Sequence, residues 1–365
     1  MSLLSAPPNQ DAGFQRVVQM IQDVEHQKLA QSIPKSMYEP RVVRSMIGFL
    51  ASYALYAGSV FLVSVSPHWG LWIPLWIAAG LGGWGLHCIA HDCGHGSFSR
   101  SKTLNNWVGH LSLLPMIYPF NAWKHVHNMH HAATNNIETD TDWRPIDWET
   151  FKRMPLKDKA KYATNRTVLF WFGTGQYWLE SGFKPGFFPQ KKQRAEVRRS
   201  IAFTLAVCGA YLAALAWFTG IVGLLIYFVA PFLAIHVWFS ITTLMHHTAE
   251  DLPFLTRATW RRKGSRLMTI DYHYPQWLHF LTHNISVHTA HHVAPGIPSY
   301  NLQEATSLIK KDFPGYVTER KFKWSTLWRV VAKCHLYDPQ TGYYESFFEA
   351  MARDHGRSPT KKAAA

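Results

Sequence analysis

The chain has 365 residues, of which 47% are hydrophobic and 16% charged, and a formal net charge of +14. That length admits one large domain or two ordinary ones, and the basic balance suits nucleic acid, anionic lipid or an acidic protein partner. No helix-turn-helix, zinc finger or aromatic-rich nucleic-acid motif accompanies the charge, so no nucleic-acid partner is expected, and the four cysteines contain neither a CxxC pair nor a disulfide-like framework.

The opening stretch, MSLLSAPPNQDAGF, lacks a basic region followed by an apolar core, so no cleaved signal peptide is expected. A helix crossing a hydrocarbon layer of ~30 Å needs about 20 mostly apolar residues. Four segments qualify, roughly Met46 to Val65, Leu71 to Ala90, Ile201 to Phe218 and Ile221 to Leu244. Leu111 to Trp123 and Val168 to Leu179 are too short or too interrupted, and read as interfacial or re-entrant pieces. The turns inside the two pairs, Ser66-Pro67-His68-Trp69-Gly70 and Thr219-Gly220, contain no Lys or Arg, whereas Lys191, Lys192, Arg194, Arg198 and Arg199 cluster ahead of the third span. By the positive-inside rule the long segments and both termini face the cytoplasm. The expected architecture is an all-α integral membrane protein, with four transmembrane helices as two hairpins and a cytoplasmic helical cap. We read it as a single domain, 1–365: cytoplasmic 1–42, first hairpin 43–90, cytoplasmic 91–199, second hairpin 200–244, cytoplasmic 245–365.

Three histidine clusters lie in those cytoplasmic segments. HDCGH carries His91 and His95, HNMHH carries His127, His130 and His131, and HTAHH carries His288, His291 and His292. Spacings of three and four residues share a helix face, so His91 with His95, and His127 with His130 or His131, can grip one metal. Adjacent histidines diverge by about 100° on an ideal helix and can reach two different metals. Two spans separate the second cluster from the third, so the chain returns to the same membrane side and all eight side chains can converge. Imidazole suits zinc, copper, iron and nickel alike. A hydrolytic zinc site takes three protein ligands and an open position, so eight point instead to a pair of metals. His26, His68, His335 and His355 have no positional argument for a role.

From about Gly85 to Leu302 the chain resembles the membrane fatty-acid desaturases, and is similar to the acyl-lipid Δ12 (omega-6) type of bacteria, cyanobacteria and plastids. The likeness runs through HDCGHGSFS, GHLSLLPMIYPFNAWKHVHNMHH, HHTAEDLP and HNISVHTAHHVAPGIPSYNL. The resemblance implies two iron ions, O2 as co-substrate and two electrons from an external ferredoxin or cytochrome b5-type donor. It implies a lipid or other acyl-chain substrate, given a cis double bond, in a bacterial inner membrane with the site on the cytoplasmic side. The eight box histidines would be the iron ligands. A further histidine in a QHT-like segment falls on His246-His247-Thr248, where His247 matches and His246 stands at the Gln position, leaving the pair open.

Neighbouring groups should orient the imidazoles through their free nitrogens. The candidates are Asp92 within the first box, Asp140 and Asp142 after the second, and His283 and Asn284 before the third. Neither end carries a haem-binding HPGG segment, so no fused cytochrome b5 domain is expected and the donor should be separate. A basic cytoplasmic face suits an acidic ferredoxin, and equally anionic lipid. Two other readings stay open: a hydroxylase on the same scaffold, and a membrane metal transporter. Transport favours ligands at mid-membrane depth, whereas these clusters follow helix ends. Nothing in the sequence specifies the double-bond position, the acyl carrier or an oligomeric state.

Overall fold

The structure, a computed structural model, describes residues 12–24, 26–262 and 264–356. Residues 1–11, which hold most of the stretch bearing on a signal peptide, lie outside them. The chain is mostly helical, and Val42–Val65, Trp69–His95 and Lys191–His247 are long and apolar enough to cross a membrane. Helix α1 (Ala12–Asp23) buries Phe14, Val18 and Ile21 from one face. They join Phe254, Met268 and Tyr337 in a core formed largely by the chain beyond the last apolar run.

Helices α2 (Val42–Val65) and α3 (Trp72–His95) are joined by a short turn, Trp69–Leu71, and pack side by side. The buried face of α2 is mostly small, with Ser45, Ser52 and Ser59 recurring along it. Glycines of α3 meet it. A Cβ on Gly82 would stand 2.6 Å from the Tyr56 amide nitrogen, and one on Gly85 2.7 Å from Ser52 Oγ. Toward the last long helix, a Cβ on Gly80 or Gly83 would come within 2.7 Å of Ala234 or 2.4 Å of Ile235. Such close approach is how apolar helices gain van der Waals energy where no hydrophobic effect drives them together. Thus α3 is gripped from two sides and carries His91 and His95 to a fixed height. It stops at Gly96, left-handed at φ 75, where the Ser97 amide donates to the Asp92 carbonyl at 2.9 Å.

Helix α4 (Lys102–Leu113) is capped by Ser101, whose Oγ accepts from the Leu104 amide. The Leu111–Trp123 piece breaks at Ile117, φ 48, and resumes as α5 (Phe120–Ala133). Helices α6 (Lys191–Leu224) and α7 (Ala230–His247) follow each other with a backbone break at Gly220, φ 66 and ψ −170. The rings of Tyr211 and Phe228 meet with centroids 6.5 Å apart. The same stretch as straight helix would hold them about 25 Å apart. The chain therefore reverses at Gly220, where the sequence puts a turn. The Val168–Leu179 piece forms the short turns Phe170–Phe172 and Gly173–Tyr177 packed against α7, and Trp178–Gly182 beyond them.

The all-α expectation needs one amendment. Parallel strands β1 (Asp271–His273) and β2 (Glu319–Lys321) pair with Asp271 opposite Glu319, and β3 (Leu336–Tyr337) pairs antiparallel with β4 (Tyr344–Glu345). Segments of two or three residues are too short to show a period-two pattern in sequence. Beyond β1, the fully buried helix α8 (His288–Val293) carries the third histidine box.

At Gly220 the backbone occupies a region essentially restricted to glycine, and an added Cβ would meet nothing within 4 Å. Gly220→Ala should cost about 1–3 kcal/mol through backbone strain alone, read as a lower unfolding temperature in detergent. Gly209→Ala, in similarly open space but without the positive φ, should leave that temperature unchanged or higher. Equal behaviour of the two variants would remove the strain argument.

Candidate metal centre

Four elements converge. The last turns of α3 deliver His91 and His95, α5 delivers His127, His130 and His131, α8 delivers His288, His291 and His292, and α7 ends on His246 and His247. Ring nitrogens of His91, His95, His127, His131 and His291 lie within 4.8 Å of one another, and those of His130, His247 and His292 form a second such group. His288 adjoins the second, its Nε2 2.9 Å from that of His247 and 3.1 Å from that of His292. Each HxxHH box is shared as helical divergence allows: His131 and His291 serve one group, His130 and His292 the other.

The rings are oriented from outside. His130 Nδ1 stands 2.7 Å from Asp140 Oδ1, His288 Nδ1 3.2 Å from the Ile285 carbonyl and His292 Nδ1 3.3 Å from Thr134 Oγ1. When Nδ1–H donates outward, Nε2 keeps a bare lone pair. Across the cluster Nε2 atoms stand opposite one another: His131 Nε2 is 2.9 Å from His291 Nε2 and 3.0 Å from His127 Nε2, and His130 Nε2 is 3.2 Å from His247 Nε2. Facing lone pairs repel unless a proton or cation lies between them. His91 Nε2 and His95 Nε2 are buried with no protein partner. A set of nitrogen donors left bare in this way fits metal ions.

The electrostatics agree. Burial and the neighbouring imidazoles hold His127, His131, His288, His291 and His292 well below the ordinary histidine range, keeping them neutral and able to donate a lone pair. For His130 burial acts the same way, but the Asp140 carboxylate at Nδ1, helped by Asp142, overcomes it and raises the pKa.

The open choice at the end of α7 has a clear geometry. His247 joins the second group, whereas His246 stacks on the His288 ring with centroids 4.2 Å apart and leaves its Nε2 unpartnered. Most of the expected orienting groups act elsewhere. Asp92 accepts from the Ser299 amide at 3.1 Å, tying α3 to the chain beyond the third box. Asp142 lines a cavity, and His283 Nε2 lies 2.9 Å from Ser52 Oγ on α2. Asn284 accepts from Gln303 Nε2 at 2.8 Å and donates to the Ser299 carbonyl. Local spacing placed these residues near the boxes without fixing their side-chain direction.

Thr134 and Asp271 were missed by sequence reasoning. Asp271 Oδ1 accepts from the His288 and Thr289 amides at 2.9 and 2.7 Å and from Thr289 Oγ1 at 2.8 Å, which sets the start of α8. The available signal was a lone acid in the otherwise uncharged run LMTIDY, since a buried carboxylate needs donors.

A cavity of about 440 Å³ opens against His91, His127, His130, His247 and His288. Trp84, Trp123, Val126 and Phe239 in its wall are buried, while Arg144 is exposed and Glu180 half-buried. An apolar depth beside the histidines with a polar mouth suits a long amphiphile.

Residues 66–324 match the family described as "Fatty acid desaturase". An sn-1 oleoyl-lipid 12-desaturase of Picosynechococcus sp. is 38% identical over 317 residues, covering 86% of this chain and 90% of that protein. The chloroplastic omega-6 fatty acid desaturase of Spinacia oleracea is 33% identical over 345 residues, 94% of this chain and 76% of its own. An sn-1 acyl-lipid omega-3 desaturase (ferredoxin) of Synechocystis sp. is 35% identical over 332 residues, 88% of this chain and 90% of its own.

Asp140→Asn should turn an amide donor toward His130 Nδ1 and invert the tautomer, placing the proton on the Nε2 that faces His247. Metal retention in a chelator competition is expected to fall about 10–100-fold. Asn284→Ala, which touches no box imidazole, should retain metal like the parent. The same loss in both variants would reassign Asp140 to general packing.

Proposed function

Because the chain belongs to the fatty acid desaturase family, we propose that it converts an oleoyl chain of a membrane lipid to a linoleoyl chain at a di-iron centre. The observation that carries this reading is the cavity that touches both histidine groups, apolar where it meets them. His91, His95, His127, His131 and His291 would hold one iron, and His130, His247 and His292 with His288 the other. Bound iron would supply, from O2 and two electrons, the oxidising power that unactivated C–H bonds demand. In the overall change two hydrogens leave adjacent carbons and, with O2, two electrons and two protons, yield an alkene and two waters.

The chain's own residues do the positioning. Trp123 stacks on His127 with centroids 4.9 Å apart, and Trp84 and Phe239 wall the same cavity, so hydrocarbon is held against the histidines while water is kept out. Asp140 holds His130 in the tautomer that presents Nε2, and Asp271 fixes the start of the third box. Arg144, exposed in the cavity wall, would meet the ester and head group.

The reversal at Gly220 divides the longest apolar stretch, which supports four spans in two hairpins with site and termini on the cytoplasmic side of a bacterial inner membrane. The whole chain, 1–365, acts as one domain in this reading. A ferredoxin-type donor accords with the ferredoxin in one relative's name and with the net charge of +14. The omega-3 relative makes methyl-end selectivity the second reading, since its 35% identity lies between those of the 12-desaturase and omega-6 relatives.

Expression in an oleate-rich host should yield the 9,12-diene. A hydroxy acid without diene would establish the hydroxylase, and a double bond placed elsewhere would overturn the Δ12 assignment. Two irons per chain are expected on metal analysis; zinc without oxygen-dependent turnover would favour a transporter. His95→Ala, His130→Ala and His291→Ala should each abolish the diene and lower bound iron while membrane insertion persists. Parental diene levels in any of them would take that residue out of the ligand set.

A further inference from the structure

Between α4, α5 and the start of α6 lies a second cleft, about 590 Å³, which shares no lining residue with the cavity at the histidines. Lys102, Lys124 and Arg199 line it, and among the described residues none of the three has a carboxylate partner. The acid in its wall, Glu196, is engaged by His125 Nε2 at 2.9 Å. Asn105 is buried there with its Nδ2 donating to the Ser99 carbonyl at 2.8 Å. That bond fixes the amide's orientation and leaves Oδ1 as a buried acceptor without a donor.

The cleft's height is set by the helices that form it. Cys93 to Gly96 stand where the apolar run of α3 ends, and Arg199, Ser200 and Phe203 where that of α6 begins. Trp107, 52% exposed, meets Phe203 edge-on with centroids 5.7 Å apart. An exposed Trp beside unpaired cations at the end of an apolar run marks the level of lipid head groups.

We propose that this cleft binds the head group of a phospholipid of net negative charge, such as one of the phosphoglycerol kind. The net negative charge of such a head group pairs with Lys102, Lys124 and Arg199, whereas a zwitterionic head group brings its own cation. A concave pocket of this size accepts one such group, whereas a protein donor would dock on a broad face. His95 forms part of the cleft wall, so a seated lipid would lie beside the five-histidine group. The inference rests on the membrane embedding proposed above.

Full-length protein in mild detergent, titrated with phosphatidylglycerol and phosphatidylcholine of identical acyl chains and followed by native mass spectrometry, tests it. The wild type should prefer phosphatidylglycerol roughly 10- to 30-fold, and that lipid alone should raise its unfolding temperature. Lys102→Gln with Arg199→Gln should bring both responses down to the phosphatidylcholine level. Equal binding of the two lipids by the wild type, or undiminished phosphatidylglycerol binding by the double variant, overturns the proposal. So does displacement of the lipid by millimolar inorganic phosphate, or a variant that loses only donor-driven turnover, the mark of an acidic protein at the cleft. Release of the wild type from membranes by an alkaline wash without detergent would instead defeat the embedding.

Discussion

Nine imidazoles packed with ring nitrogens facing one another are unfavourable by themselves, and the groups around them hold them that way. A ring that turns Nε2 inward is held best by an acceptor for Nδ1–H outside, and Asp140, the Ile285 carbonyl and Thr134 stand behind three of them in that way. Each helix that carries a ring must also be stopped and braced at the right height, because one residue of slippage rotates a side chain by about 100°. Cations between the lone pairs convert this repulsion into cohesion, so metal and tertiary structure are expected to reinforce one another.

Bracing comes from two unlike sources. Within the apolar layer, small residues let α3 lie almost backbone to backbone with its neighbours, as at Gly82 against Tyr56 and Gly80 against Ala234. Outside it, buried carboxylates do the work. Asp92 fastens the end of α3 to Ser299, and Asp271 gathers the amides that open α8. Burial pushes the Asp271 carboxyl up to about 6, against the pull of the Thr289 and His288 donors.

How much of this was legible follows from what spacing can encode. Box histidines share helix faces at three- and four-residue intervals, and apolar run lengths put the boxes at one end of the spans, so the convergence of all eight could be read. The turn at Thr219-Gly220 could be read because the apolar run from Ile201 to Leu244 is long enough for two spans. Side-chain direction at irregular positions could not. Asp140 and Asp142 are neighbours of equal chemistry and both line the cavity, yet only Asp140 is hydrogen-bonded to His130. His246 and His247 sit at a helix end where a single step of phase decides which faces the cluster. His283 lies close to the third box in sequence but, at φ 49, turns toward Ser52 of α2.

The pairing of β1 with β2 has a consequence for how the molecule is made. Asp271 sets the start of α8 from a strand whose partner is Glu319 to Lys321, so the third box is seated by chain that emerges well after it. The first two boxes precede the third by 157 residues, counted from His131 to His288. At about 5–20 residues per second, that is roughly eight to thirty seconds of synthesis. Over that interval a nascent chain carries five, and after His247 six, of the converging histidines, so any metals they hold would be secured only once translation has passed the strand that seats the last three.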